Sequence, residues 1–208
     1  MEHYNSKKAA EDYHRVFTKD ADNPESKRKA IQRYVKFTSK LKQGGHILDA
    51  GCGTGRFVPY FVKNGFTVTG VDSSSSMIEL ASKNNPMAEF KVMDIRHLDF
   101  VSNYFDGVWN IATLLHLDES GVKLALQEFK RVLKVNGILY IATRTKDKSI
   151  SIIEESTEGG KMVVNYYSPD KLRELLANSG FEIIEINVEP DDYSRPFDYA
   201  FVLAIPST

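Results

Sequence analysis

Residues 48–56 read Leu-Asp-Ala-Gly-Cys-Gly-Thr-Gly-Arg, which puts glycines at 51, 53 and 55, with Asp49 before them and Arg56 after. Alternating glycines let the backbone turn tightly and let a ligand come where a Cβ would clash. The helix expected after them presents free N–H groups in its first turn. An acid at the end of the preceding strand suits an ammonium, and exposed loop N–H groups suit a carboxylate. Asp49, Gly51, Cys52, Gly53, Thr54, Gly55 and Arg56 are therefore candidates for holding a ligand with a zwitterionic amino-acid tail. A dinucleotide loop of the G-x-G-x-x-G kind would need its third glycine one residue later, where Arg56 stands.

Two more acids follow the next strands. Gly70-Val71-Asp72 ends the second, about 20 residues on, where an acid accepts the hydroxyls of an unphosphorylated ribose. Val92-Met93-Asp94-Ile95 ends the third, where Asp94 is placed to accept from an amino group of a base while Ile95 packs on its ring. Acids after strands also serve as caps and turn residues. What favours a ligand is three of them in register, since ligands in open α/β sheets bind beyond the carboxyl ends of the strands. His116, within Leu114-Leu115-His116-Leu117-Asp118, is the candidate general base, because its unperturbed pKa suits proton transfer near neutrality. A structural or capping histidine is the competing reading.

Strands and helices alternate from His46 onward, which is what positions these groups. Strands are expected at 47–50, 66–71, 90–93, 105–110 and 137–143, with helices at 56–63, 75–83 and 119–133. Such alternation implies βαβ crossovers and a mostly parallel sheet with helices on both faces. Before them, two helical patches flank Asp20–Pro24, and 26–41 is amphipathic through Ile31, Tyr34, Val35 and Phe37. Residues 144–160 are polar and read as a loop or cap, with a strand near 162–167. Ser168-Pro169-Asp170 opens a helix that Gly180 closes. Two final strands, 181–188 and 199–205, form an antiparallel hairpin. The expected division is 1–45 as a helical segment or lid and 46–208 as the ligand-binding part of one domain.

Ile47 through Gly55 closely resembles the first motif of class I S-adenosylmethionine-dependent methyltransferases. Gly70-Val71-Asp72-Ser73-Ser74 with Met77 resembles their second motif, and Phe105-Asp106-Gly107-Val108-Trp109-Asn110 the fourth-strand motif. Arg131 through Leu139 resembles the turn before the fifth strand, with Val135-Asn136 where Pro-Gly is usual. The resemblance spans roughly residues 30 to 205. It implies a Rossmann-like, doubly wound, mostly parallel seven-stranded sheet with an antiparallel C-terminal hairpin, and S-adenosylmethionine as cofactor. It places Asp49 and the glycines around the methionine moiety, Asp72 at the ribose with Ser73 and Met77 beside it, Asp94 and Ile95 at the adenine, and Asn110 and Ile111 near the sulfonium. Trp109-Asn110-Ile111-Ala112 lacks the Asp/Asn-Pro-Pro-aromatic signature of amino-directed nucleic-acid methyltransferases. An N-terminal segment that covers the cofactor is common in the family, which makes Tyr4, Tyr13, His14 and Phe17 candidates for a lid, although ordinary packing of an amphipathic helix is the favoured reading of them.

The bulk properties agree. The chain has 208 residues, 42% hydrophobic and 26% charged, with net charge -1 and a single cysteine. That is ordinary globular composition and offers no broad phosphate-binding face. No intramolecular disulfide can form, the N-terminus lacks a signal peptide's apolar run, and no segment approaches the ~20 apolar residues of a membrane span. The expectation is a cytoplasmic enzyme, monomer or homodimer, acting on a small-molecule acceptor rather than nucleic acid and using no metal. An NAD-type oxidoreductase and a non-catalytic S-adenosylmethionine-binding protein are the alternatives. Residues 144–167 are expected to face the acceptor. Arg195 has two roles open to it, an acidic substrate or the neighbouring Asp191 and Asp192, and the neighbours are favoured.

Overall fold

The computed structural model describes residues 6–20, 23–155, 161–191 and 195–207. Helices α1 (Lys7–Asp20) and α2 (Pro24–Thr38) come first, and Asn23 caps α2 by accepting from the N–H groups of Glu25 and Ser26. Then follow β1 (His46–Ala50), α3 (Val58–Lys63), β2 (Thr67–Asp72), α4 (Ser75–Asn84), β3 (Glu89–Val92) and β4 (Phe105–Ile111). A short 3-10 turn, Leu114–His116, leads into α5 (Glu119–Val132), whose first turn Asp118 caps. The chain ends with β5 (Leu133–Thr145), β6 (Ile150–Glu155), β7 (Lys161–Tyr166), α6 (Pro169–Asn178), β8 (Phe181–Pro190) and β9 (Asp198–Pro206).

Seven strands form one sheet in the order β3-β2-β1-β4-β5-β9-β8. Strands β1 to β5 pair in parallel, and β9 runs antiparallel to both β5 and β8. The chain winds outward from β1 through β2 and β3, then returns to β4 on β1's other side. The crevice between β1 and β4 is thus the topological switch point, where ligands bind in such sheets. Adjacent residues point to opposite faces, so each central strand feeds two cores. Leu48 and Val108 pack with Leu126, Phe129 and Leu175 under α5 and α6. Ile47 and Trp109 pack with Phe37 and Phe61 under α2 and α3. Burial on both faces is why these strands read as apolar runs.

Three expectations need correction. Residues 144–160 are not simply loop: β5 continues to Thr145, and β6 pairs with β7 as a separate two-stranded sheet. The polarity that suggested a loop belongs to the hairpin's outer face. Its inner face buries Met162, Val164 and Tyr166 against Leu115. Strand β5 starts at Leu133, directly after α5, rather than after a turn at Asn136-Gly137. Phe105 pairs with Leu133 but Gly107 with Ile138, so residues 134–137 bulge from the ladder. Within that bulge Lys134 reaches Asp106 at 2.8 Å. Helix α3 starts at Val58, because Gly55 to Phe57 are used in turns ahead of Pro59. Among the described residues no helix is long and apolar enough to cross a membrane.

Candidate functional site

A cavity of about 650 Å³ opens at the carboxyl ends of β1, β2, β4 and β5. Its size is within the range of roughly 300–1,000 Å³ common for small-molecule sites. The glycine loop forms one wall. Its fold follows from a short set of bonds: the N–H groups of Gly51 and Cys52 both donate to Val71 O, at 2.8 and 2.9 Å. Gly53 N donates to Asp72 Oδ2 at 3.0 Å, and Ser74 N to Asp72 Oδ1 at 2.9 Å. Asp72 thus ties the loop to the start of α4 and still lines the cavity. Gly51 has φ +75°, and a Cβ there would fall 2.1 Å from Thr113 Oγ1. Only glycine fits, because Thr113 leaves no room and the backbone is left-handed. Ala112, just before Thr113, holds φ +55° on the cavity wall, a strained conformation for a residue with a Cβ.

Asp49, near the end of β1, is buried, and its Oδ2 has no hydrogen-bond partner among the described residues. Burial raises its pKa to about 7; Arg56 opposes the rise and Asp72 adds to it. An acid without a partner, set behind the loop, is the feature an ammonium would satisfy. Burial likewise raises the Asp72 carboxyl, against the pull of the N–H groups of Ser74 and Gly53. The Cys52 thiol is pushed well up by burial, with Asp49 and Asp72 reinforcing it, so no thiolate nucleophile is available.

The expected site residues divide into three groups. Gly51, Gly53, Thr54, Gly55, Arg56, Asp72, Ser73, Met77, Ile111 and His116 all lie on the cavity wall. Asp49, Cys52 and Asn110 lie behind it; Asn110 is fully buried and donates to Ala50 O at 2.7 Å, tying β4 to β1. Asp94 and Ile95 are not on the wall. Asp94 accepts from Arg96 Nε at 3.0 Å through both of its oxygens. Burial works to raise the Asp94 pKa, but Arg96 prevails and holds it low. Ile95 is buried in the core under α5. The competing reading of His116 as a helix cap fails, because Asp118 performs that task.

Helix α1 folds over the loop. Tyr13 and His14 line the cavity, with His14 Nδ1 3.0 Å from Thr54 Oγ1. Tyr4 lies outside the described residues, as does the side chain of Phe17. The half of the cavity away from the loop was less visible in the sequence. Its wall includes Arg33 from α2, Arg144 and Met162 from β5 and β7, and Tyr199 and Phe201 from β9. Arg195 pairs with Asp191 at 2.8 Å, as favoured; Asp192 lies outside the described residues. These groups carry no local motif, and only the tertiary fold brings them to one chamber.

The chain's similarity to known proteins agrees with this geometry. The family described as "Methyltransferase domain" matches residues 48–141. An O-methyltransferase of Pyrenophora dematioidea is 29% identical over 196 residues, covering 88% of this chain and 72% of that protein. The O-methyltransferase rstn1 of Aspergillus nomiae is 32% identical over 152 residues, covering 69% of this chain and 67% of that protein. Other curated relatives are longer, and the chain spans as little as 33% of one of them. Among solved structures, a methyltransferase of this kind from Methanosarcina mazei superposes with TM-score 0.75 at 23% identity, covering 81% of this chain and 95% of that one. The chain belongs to the class I S-adenosylmethionine-dependent methyltransferases, and S-adenosylmethionine is its cofactor.

Proposed function

We propose that the protein methylates an oxygen of a small-molecule acceptor bound in the chamber beyond the glycine loop. The observation that carries this reading is the single cavity that runs from Asp72 past His116 to Arg144 and Tyr199, roofed in part by α1. Two O-methyltransferases among the relatives support oxygen as the acceptor atom. Residues 1–45 act as the lid and 46–208 as the catalytic part.

When bound, S-adenosylmethionine supplies a methyl on a positively charged sulfur, which is already electrophilic. The chain's task is therefore positioning, which can contribute roughly 7–11 kcal/mol to lowering a barrier of this type. Asp49 would take the ammonium of the amino-acid tail, the loop between Gly51 and Gly55 its carboxylate, and Asp72 the ribose hydroxyls. Ser73 and Met77 would flank the nucleoside and Ile111 would shape the floor near the sulfur, while Asn110 holds that floor from behind through its bond to Ala50 O. Adenine recognition by Asp94 would require its pair with Arg96 to open. His116 takes the proton when the acceptor arrives as a hydroxyl.

The test is release of S-adenosylhomocysteine on incubation with S-adenosylmethionine and a panel of hydroxylated metabolites, beside calorimetry with S-adenosylhomocysteine and NAD. Turnover with a member of the panel, and a His116→Ala loss of rate that shrinks as pH rises, is expected. Binding of NAD alone would sink the reading. Normal turnover by His116→Ala with saturating cofactor would remove that residue from it.

A further inference from the structure

Three arginines line the acceptor chamber, and each lies over an aromatic ring and pairs with a carboxylate. Arg33 lies 3.8 Å above Phe201, Arg144 lies 3.8 Å above Phe197, and Arg195 lies 5.1 Å from that same ring. Their carboxylate partners are Glu189, Glu154 and Asp191, of which only Asp191 itself reaches the cavity wall. Stacking fixes the plane of a guanidinium and so prepares its donors for a ligand.

Arg144 differs from ordinary ion-paired arginines in what it leaves unused. Its Nη1 donates to Glu154 Oε2 at 2.7 Å and lies 3.3 Å from the Tyr166 hydroxyl. Its Nε is buried and has no acceptor, and its Nη2 makes no hydrogen bond among the described residues. Nε and Nη2 form one edge of the guanidinium, spaced for the two oxygens of a carboxylate. Leaving a buried N–H of this kind without an acceptor is unfavourable, so the position is poised for an anion. The side chain projects from the carboxyl end of β5, the edge of the sheet where the cavity opens.

We infer that the methyl acceptor carries a carboxylate, and that Arg144 seats it side-on through Nε and Nη2. This rests on the methyltransferase reading above and deepens it. A side-on fork takes one lone pair on each carboxylate oxygen, neutralises the group's charge and holds it at Arg144, so the methylated oxygen is a separate group on the same molecule. Tyr199 and Phe201, stacked with centroids 5.9 Å apart, face its apolar body. The substrate class is a hydroxy acid with a flat or apolar frame. Arg144 is a specificity-determining residue.

The test is calorimetry on the full chain saturated with S-adenosylhomocysteine, using 4-hydroxybenzoate and hexanoate against 4-hydroxybenzamide and hexanamide. At least one acid should bind about tenfold or more tighter than its amide. Arg144→Gln should erase that preference while the affinity for S-adenosylhomocysteine stays unchanged. Arg144→Lys keeps a charge opposite Glu154 but lacks the fork, and should lose most of the preference. The inference is overturned if acids and amides bind alike, if no acid binds up to about 10 mM, or if both variants keep the preference. Should the wild type fail to bind S-adenosylhomocysteine, the methyltransferase reading falls too; should it bind while the preference is absent, only the carboxylate inference falls.

Discussion

The buried carboxyl of Asp49 makes a prediction about pH that can be worked through in full. Its pKa in the fold is about 7 against an ordinary 3.8, because burial removes its hydration and, among the described residues, nothing hydrogen-bonds Oδ2. Between those two values the folded protein holds a proton that the unfolded chain has released. Stability contributed by this group is therefore complete below pH ~4, falls as pH rises toward 7, and is level above it. A gap of about 3 units is worth up to about 4 kcal/mol. Asp49→Asn removes the titration, so the stability of the variant relative to wild type should rise from pH 5 to pH 8. The comparison isolates Asp49 from His46, whose pKa burial lowers and whose effect on stability has the opposite slope. Urea unfolding of the ligand-free protein at several pH values measures this. A cofactor ammonium beside Asp49 would favour the charged form, so binding of S-adenosylhomocysteine at pH 6 should release close to one proton, and at pH 8.5 none. Calorimetry in buffers of different ionisation enthalpy reads that number. A pH-independent difference between the two proteins, together with no proton release at pH 6, would refute the argument.

Other consequences follow from named contacts. Asp72→Asn exchanges the charged acceptor of Gly53 N and Ser74 N for a neutral amide; hydrogen bonds to charged groups are worth roughly 1.5–3 kcal/mol, so the calorimetric Kd for S-adenosylhomocysteine should rise at least tenfold. Gly51→Ala meets both a positive φ and Thr113; a loss of about 3 kcal/mol is expected, seen as a Tm lower by roughly 6–12 °C in a chain of this size. Arg131→Met breaks bonds to Glu128, Leu98 O and Phe100 O; partly exposed as they are, they should together be worth about 1–3 kcal/mol in urea unfolding, with the affinity for S-adenosylhomocysteine unchanged because the residue is remote from the cavity.

The half of the site that holds the cofactor was legible because its chemistry is local. Glycines 51, 53 and 55 are needed by the backbone itself, and Asp49 and Asp72 sit at strand ends that the apolar runs announce. Asp94 shows where that logic stops. A strand-end acid reads the same whether it faces a ligand or a neighbour, and Arg96, two residues on, decided the matter. Strand β7 was expected near 162–167, but its partner β6 was hidden because one face of the hairpin is solvated, so 144–160 read as a loop or cap. The sheet was recoverable as a count and a hand, since β9 and β8 are apolar strands after a capped helix. The start of β5 was not, because a bulge between Leu133 and Ile138 leaves no mark in residue type.

The acceptor chamber is built from elements far apart in the chain, and its electrostatics follow from how they are tied. Arg33 of α2 reaches Glu189 of β8, Arg144 of β5 reaches Glu154 of β6, and Arg195 reaches Asp191 after β8. Two of these pairs link separate elements, α2 with β8 and β5 with β6. A second pair, Lys36 with Glu185, also fastens α2 to β8. Helix α2 is thus held to the C-terminal strand β8 by charge at the rim, while Phe37 anchors it in the core against Trp109. Such partly exposed pairs are individually weak and screened by salt. Helix α2 therefore stays seated through Phe37 when ions compete for the arginines, and a carboxylate arriving on the Nε and Nη2 edge of Arg144 leaves the Glu154 pair on Nη1 in place. Placing the paired arginines at the rim and the aromatic anchor beneath them lets one helix both complete the core and present charge to the chamber.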